Sequence, residues 1–143
     1  MLRNKIATAL TAVGLTALSL TAVPGAAQAS ESAPPSTRAA AADGYLHVYM
    51  HQNYGTPHCQ WSGDSDNWDS CNGMRNEASS LWNNGFTHDV WLYYGPNQTG
   101  ASFCLDKGEK LPNIVHYHFP NNGTGGGTSL NDNIASHEWV ANC

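Results

Sequence analysis

The sequence predicts an all-β domain, a sandwich or barrel of short strands, on three observations. Apolar and polar residues alternate along Tyr45–Met50 and Asp89–Tyr94, which is the pattern of half-buried strands. Clusters of Gly, Asn and Ser, such as Asn83–Gly85, recur at short intervals and mark turns. Only Met74–Trp82 has a spacing that favours a helix, and such a helix would be short.

Two further segments are predicted to be strands. Ser102–Leu105 contains an aromatic residue, and Asn113–Phe119 contains aromatic and β-branched residues, which strands favour. Short strands joined by turns, without long helical patterns, are typical of β sandwiches and barrels.

The chain of 143 residues has the length of one domain. Its first residues have the features of a secretory signal peptide. Arg3 and Lys5 precede the apolar run Ile6–Val23, and Ala27–Ala29 supplies the small residues of a cleavage site. We therefore predict a signal peptide at residues 1–29 and secretion to the extracellular space.

Residues 30–43 are rich in Ala, Pro and Ser and show no periodicity, so they are predicted to be a disordered leader. The folded domain is then expected at residues 44–143. Within it, no apolar segment approaches the roughly 20 residues that span a bilayer. We expect a soluble monomer without a membrane anchor.

The charge of the chain argues against two classes of partner. Lys and Arg number 6 against 11 for Asp and Glu, which gives a net charge of −5. Nucleic acids and anionic membranes call for a basic face that displaces counterions, and so few cations cannot form one. Neither nucleic acid nor a membrane is expected as a partner.

Four cysteines lie in the predicted domain: Cys59, Cys71, Cys104 and Cys143. An even number in a small exported domain indicates two disulfides, and the ligand spacings of zinc sites are missing. Three pairings are possible, and we favour Cys59 with Cys71 and Cys104 with Cys143. The first bridge would close a compact polar loop, and the second would fix the C-terminal residue.

The domain contains an internal repeat. Each copy opens with an aromatic-rich strand, turns at a glycine and leads to an Asn-rich segment that ends in serine. The landmarks are Tyr49, Gly55, Cys59 and Arg75–Ser80 in the first copy, and Tyr94, Gly100, Cys104 and Asn131–Ser136 in the second. Because they follow each other in the same order, we predict two copies of one four-strand unit.

This paired unit resembles the double Greek key of the βγ-crystallins. With its signal peptide and disulfides, the chain resembles the streptomycete metalloproteinase inhibitor family over Tyr45–Cys143. The resemblance implies an all-β, double Greek-key βγ-crystallin-like sandwich stapled by two disulfides. It also implies a secreted protease inhibitor whose partner is an extracellular protease, most of all a metalloprotease. Since the motifs of serine, metal-dependent and cysteine hydrolases are missing from the sequence, we expect no enzymatic activity.

Crystallin units often bind calcium through the Asn-rich segment, so the resemblance implies a weak candidate site at Asn131, Asp132 and Ser136. Amide, carboxylate and hydroxyl oxygens are ligands that Ca²⁺ prefers. However, Ala135 stands where a hydroxyl is expected, and the first copy has Arg75 at the first position. We therefore expect no cofactor, with weak calcium binding as the alternative.

The inhibitory contact is predicted at Cys104 and Leu105. An aliphatic residue directly after a cysteine anchored in the fold suits thermolysin-type proteases, which accept an apolar residue on the carboxyl side of the scissile bond. Leu105 could equally be an ordinary strand residue. Two other contact surfaces stay open, namely the Ser62–Ser70 loop and the glycine-rich Asn121–Ser129 loop.

A second hypothesis for the function is binding of cell-wall carbohydrate or action against competing microbes. Trp61 and Trp68 lie between Cys59 and Cys71. If their indole rings are exposed, they could stack on sugar rings.

Overall fold

The computed structural model describes residues 41–143, so the predicted signal peptide at 1–29 and most of the predicted leader at 30–43 lie outside the described residues. The described part contains short 3-10 helices at Gln52–Tyr54 and Trp68–Ser70. Its strands are β1 Tyr45–His51, β2 Gly55–Trp61, β3 Ser80–Asn84, β4 Asp89–Gly95, β5 Thr99–Leu105, β6 Lys110–Leu111 and β7 Ser136–Val140. The prediction of an all-β domain is confirmed. In this part of the chain no helix is long and apolar enough to cross a membrane.

The strands form two antiparallel sheets, in the orders β2-β1-β3-β6 and β5-β4-β7. Residues of both sheets are removed from water in one hydrophobic core. The core residues of this kind include Leu46, Val48, Leu81, Val90, Leu92 and Leu105. Burying each of these side chains stabilises the sandwich by about 1.5–3 kcal/mol.

The two sheets contain the two predicted copies of the repeat, in matching register. Tyr49 lies opposite Ser80, and Tyr93 lies opposite Ser136. Tyr49 therefore corresponds to Tyr93 and not to Tyr94, which is a correction of one residue to the predicted alignment. A slip of one residue moves a side chain to the other face of a sheet, and Tyr94 does pack against the core.

A serine hydroxyl holds the β1–β2 hairpin. The Ser80 hydroxyl donates to the carbonyl of His51 at 2.7 Å and accepts from the Tyr54 backbone N–H at 3.0 Å. Asn53 and Tyr54 at the tip have φ of 56° and 61°, a conformation that ordinary residues adopt only when other contacts enforce it. The buried serine supplies one of those contacts.

The second copy repeats this arrangement. The Ser136 hydroxyl donates to the carbonyl of Gly95 at 2.7 Å and accepts from the Gln98 N–H at 3.1 Å. The final serine of each Asn-rich segment, which the sequence singled out, is thus the residue that ties the segment to the hairpin of its own copy.

We expect Ser136→Ala to lower the free energy of unfolding by about 1–3 kcal/mol, because a backbone N–H and a carbonyl lose their partner. Thermal or urea unfolding followed by circular dichroism measures the change. Ser62→Ala, at an exposed serine, is the control and should change stability by less than about 0.5 kcal/mol. Equal stabilities of the two variants would contradict the role given to Ser136.

Two of the predicted elements are wrong. Asn113–Phe119 is not a strand: the Tyr117 N–H donates to the Ile114 carbonyl at 3.1 Å and closes a turn. Met74–Trp82 is not a helix, because its last residues belong to β3 and Asn76 has a φ of 59°. A left-handed residue cannot continue a right-handed helix.

The favoured disulfide pairing is confirmed. Cys59 is bonded to Cys71 with a Cα–Cα distance of 6.1 Å, and Cys104 is bonded to Cys143 with a distance of 5.9 Å. The first bridge closes the loop between β2 and the turn at Asn72. The second fixes the C-terminal residue beside β5.

Candidate functional site

The Cys59–Cys71 disulfide closes a segment whose middle, Ser62–Ser70, we call the disulfide loop. Ser62, Gly63 and Asp64 are exposed along its first half. The loop is not one of the strands, yet contacts with β7 and with the β4–β5 hairpin fix its conformation.

Strand β7 holds the backbone of the disulfide loop. Ser65 and His137 exchange two backbone hydrogen bonds of 3.1 and 3.0 Å, and the Trp68 N–H donates to the Ala135 carbonyl at 2.9 Å. The Asp64 carboxylate accepts from the backbone N–H of Trp139 at 2.8 Å. The loop is thus attached to the second copy of the repeat along most of its length.

A buried Trp–His pair lies beneath the loop. Both Trp68 and His137 are 0% exposed. The Trp68 indole Nε1–H donates to His137 Nδ1 at 2.7 Å. Because Nδ1 accepts, the ring proton of the neutral imidazole is on Nε2, which donates to the Gly63 carbonyl at 2.9 Å. Burial lowers the pKa of His137 to about 4, although the Gly63 carbonyl and the Asp64 carboxylate oppose this shift.

Stacking on sugar would need exposed indole rings, a condition that Trp68 does not meet because it is buried and that Trp61 meets only in part. Trp61 is half-buried and stacks on Trp68 with ring centroids 5.3 Å apart. These rings pack against each other and His137, so they do not offer a free pair of faces for stacking on sugar.

The second half of the disulfide loop contacts the β4–β5 hairpin. The Asn97 N–H donates to the Asp66 carbonyl at 2.7 Å, and the Gln98 side-chain amide donates to the Asp66 carboxylate at 3.1 Å. Gln98 also donates to the His137 carbonyl at 3.2 Å. The hairpin and β7 therefore support the loop together.

Beside the disulfide loop lies the turn that joins β3 to β4, and it presents Phe86, whose side chain is 67% exposed. The ring packs over Gly44, where a Cβ atom would lie 2.6 Å from the ring. The buried Asn83 side chain accepts from the Gly85 N–H at 3.0 Å and donates to the His88 carbonyl at 3.1 Å. The Asn83 side chain therefore holds the backbone of this turn on both sides of Phe86.

A shallow groove of about 270 Å³ joins the two segments, and its lining includes Gly63, Phe86 and Trp139. Gly85 is required at its base, because a Cβ atom there would overlap the Trp139 ring. The groove, the first half of the disulfide loop and Phe86 form one continuous surface, which we call the loop–Phe86 surface.

The structure does not support Leu105 as an inhibitory contact. Leu105 is 0% exposed in the core, opposite Val90 of β4. Cys104 points the other way, opposite Trp91, and is bonded to Cys143. A protease could reach Leu105 only if β5 left the sheet, so this prediction is corrected.

The glycine-rich Asn121–Ser129 loop covers the free edge of β5. The Asn122 side chain accepts from the Ser102 N–H and donates to the Ser102 carbonyl, both at 3.1 Å. The Ala101 N–H donates to the Thr124 carbonyl at 2.8 Å. Unpaired strand edges can pair with other chains. Protection of the β5 edge therefore accounts for the position of this loop.

The residues proposed for calcium do not fit a site. The Ser136 hydroxyl is used on both sides by the β4–β5 hairpin. The Asn131 amide donates to the Asp132 carboxylate at 2.6 Å, and only its buried Oδ1 has no partner. Burial and the neighbouring Glu77 raise the pKa of Asp132. The side chains of Asn131 and Asp132 together carry three oxygens, well short of the six to eight that Ca²⁺ takes.

Within residues 41–143, a second group of side chains that could bind a metal ion consists of Asp89, Cys104 and Cys143. The two sulfur atoms are bonded to each other in the disulfide, so they are not available as thiolate ligands. Asp89 instead accepts from the backbone N–H groups of Lys107 and Cys143.

We expect millimolar calcium to raise the melting temperature by less than about 2 °C, because a ligand present below its dissociation constant adds little stability. Differential scanning fluorimetry, with magnesium as the control ion, measures the shift. A rise of more than about 10 °C with calcium alone would show a site that these residues do not explain.

Comparison with known proteins gives one family. The sequence model of peptidase inhibitor family I36 matches residues 35–105. This stretch contains the disulfide loop and Phe86, and it ends before the Asn121–Ser129 loop. None of the curated proteins matches the sequence at the significance required.

Solved structures give the fold. A structure from a study of the evolution of the eye lens βγ-crystallin domain fold aligns with a TM-score of 0.55 and 18% identity, over 68% of this chain and 85% of its own. A βγ-crystallin from an archaeon aligns with a TM-score of 0.52 and 16% identity, over 67% and 96%. One from Ciona intestinalis aligns with a TM-score of 0.51 and 14% identity, over 68% and 100%. The predicted βγ-crystallin-like fold is confirmed.

Proposed function

We propose that this βγ-crystallin-like chain, which resembles peptidase inhibitor family I36, inhibits an extracellular metalloprotease through the loop–Phe86 surface. The observation that carries the choice of surface is the extent of the family match, residues 35–105. Of the two loops left open as contact surfaces, only the disulfide loop lies inside it. The predicted signal peptide and the two disulfides support an extracellular setting.

The rigidity of the disulfide loop suits an inhibitor. A loop that is already fixed in its bound shape loses little conformational entropy on binding. Here the Cys59–Cys71 bond, the Ser65 pairing with β7 and the buried Trp68 fix the loop in the free protein. If a protease cut one peptide bond in the loop, these contacts would keep both ends in place.

Phe86 is the expected anchor of the interface. Binding energy concentrates in a few large side chains that enter apolar pockets, and Phe86 is the large apolar side chain with the highest exposure in residues 41–143. Thermolysin-type proteases have an apolar pocket beside the scissile bond. The exposed backbone of Ser62–Asp64 next to Phe86 would lie along the active-site cleft.

We expect Phe86→Ala to weaken inhibition at least tenfold, in line with the loss of roughly 2 kcal/mol at a hot spot. The measurement is the inhibition constant against a thermolysin-like metalloprotease. Val115→Ala is the matched control, because Val115 is also an exposed apolar residue, at 37%, but lies outside the proposed surface. Its inhibition constant should not change.

The target class is tested by titrating the purified protein against thermolysin-like, subtilisin-like and papain-like proteases. We expect the metalloprotease alone to be blocked. If all three proteases keep full activity at micromolar protein, the proposed function is wrong.

A further inference from the structure

We infer that His137, which lies outside the stretch matched by the inhibitor family, is the residue that positions the disulfide loop for inhibition. The effect on inhibition rests on the proposed function, whereas the positioning of the disulfide loop is a property of the free protein. Because His137 is buried, it would not touch the protease and would act only through the loop.

His137 contacts the disulfide loop at both of its ends. Nε2 donates to the Gly63 carbonyl at 2.9 Å, and Nδ1 accepts from the Trp68 indole at 2.7 Å. Its backbone exchanges two further hydrogen bonds with Ser65, between these ends. A single residue of β7 thus fixes three points of the loop.

Trp61 and Asp64 complete the surroundings of the imidazole. The Trp61 ring meets it edge-on at 5.3 Å between centroids. Asp64 is the charged group whose field reaches His137, and its carboxylate is held by the Trp139 N–H. Both ring nitrogen atoms of His137 form hydrogen bonds to residues of the disulfide loop.

The equivalent site at the sheet of β1 and β3 shows that the fold does not require this pair. Val48 lies opposite Leu81, as Leu92 lies opposite His137, so the position equivalent to His137 is an apolar core residue.

The partner of His137 is replaced in the same way. Ile114 donates its N–H to the Ser79 carbonyl, as Trp68 donates to the Ala135 carbonyl. Each pair joins one residue from each copy: Trp68 with His137 at the sheet of β7, and Ile114 with Leu81 at the sheet of β3. Both sites are buried, but only the Trp–His pair has polar side-chain atoms, and its His137 Nε2 shares the Gly63 carbonyl with the Trp139 indole N–H.

The test is to introduce the apolar pair at the Trp–His site with the double variant Trp68→Ile and His137→Leu. We expect a folded protein in which the backbone amides of residues 65 and 68, which donate to the His137 and Ala135 carbonyls in the native protein, exchange with deuterium at least tenfold faster than in the native protein. We also expect an inhibition constant at least tenfold weaker. Glu138→Gln, on the outward face of the same strand, is the control and should leave both quantities unchanged.

If the double variant does not fold, Trp68→Phe replaces it, because this change keeps an aromatic ring at the buried position and removes the indole N–H together with the smaller ring of the indole. We then expect faster exchange at the backbone amides of residues 65 and 68, with near-native circular dichroism. Native exchange rates and native inhibition in a folded variant would overturn the inference. If the native protein inhibits no protease, the proposed function fails, and the exchange rates alone decide whether His137 positions the loop.

Discussion

Leu105→Asp is expected to unfold the domain rather than to remove a protease contact. The Leu105 side chain is completely buried between the sheets, and a carboxylate there would have neither water nor a partner. Loss of the leucine alone costs about 2–5 kcal/mol, and the buried charge adds to this. We expect a loss of more than about 4 kcal/mol, seen as the absence of a cooperative thermal transition.

Two control variants separate folding from contact. Leu105→Met keeps the volume of the core residue and should cost less than about 1.5 kcal/mol, with an unchanged inhibition constant. Gln60→Asp places the same charge at an exposed position of β2 and should remain folded. A folded Leu105→Asp protein that has lost only its inhibition would restore Leu105 as a contact residue.

Acid is expected to destabilise the protein through His137. Its pKa is lowered from an ordinary value of about 6.5 to about 4 in the folded protein, chiefly by burial. The unfolded chain therefore binds more protons in this window, and the free energy of unfolding falls as the pH falls from 6.5 to 4. The stabilisation present above pH 6.5 amounts to about 3 kcal/mol.

Urea unfolding at a series of pH values between 7 and 4 measures this loss. The double variant Trp68→Ile and His137→Leu is the control, because it retains the other titrating groups, including Asp132 and Glu109, whose pKa values burial raises. The difference between the two proteins isolates His137 and should change by about 3 kcal/mol across this window. A difference that is independent of pH would contradict the buried neutral imidazole.

The parts of the fold that could be predicted from the sequence are those with a local signal. Strands β1 and β4 alternate apolar and polar residues, and the burial of β4 follows that alternation, whereas β1 also buries His47 between Leu46 and Val48. The Asn-rich segments that end in Ser80 and Ser136 identified the repeat, and the structure gives both serines the same bonds. The polar segment between Cys59 and Cys71 indicated the disulfide.

The strands that the sequence did not predict lack such a signal. Strand β2 contains Pro57 and buries only Cys59, as an edge strand can. Strand β7 buries His137. Because histidine is polar, the alternation of polar and apolar residues that predicts a strand is missing there. Strand β6 has two residues, which is too short for any periodicity.

The candidate site could not be predicted because it depends on contacts between residues distant in sequence. Leu105 and Cys104 are neighbours in sequence, and only their register with Val90 and Trp91 shows which one faces the core. Trp68 is buried because His137 lies beneath it, and nothing local to the disulfide loop indicates this.

A hydrogen–deuterium exchange footprint of the protein bound to a thermolysin-like metalloprotease tests the proposed inhibitory surface most directly. We expect slower exchange in the complex at Ser62–Asp64 and at Phe86, with unchanged exchange at Asn121–Ser129. Slower exchange at Asn121–Ser129 without any change at Ser62–Asp64, or the absence of a complex with the metalloprotease, would contradict it.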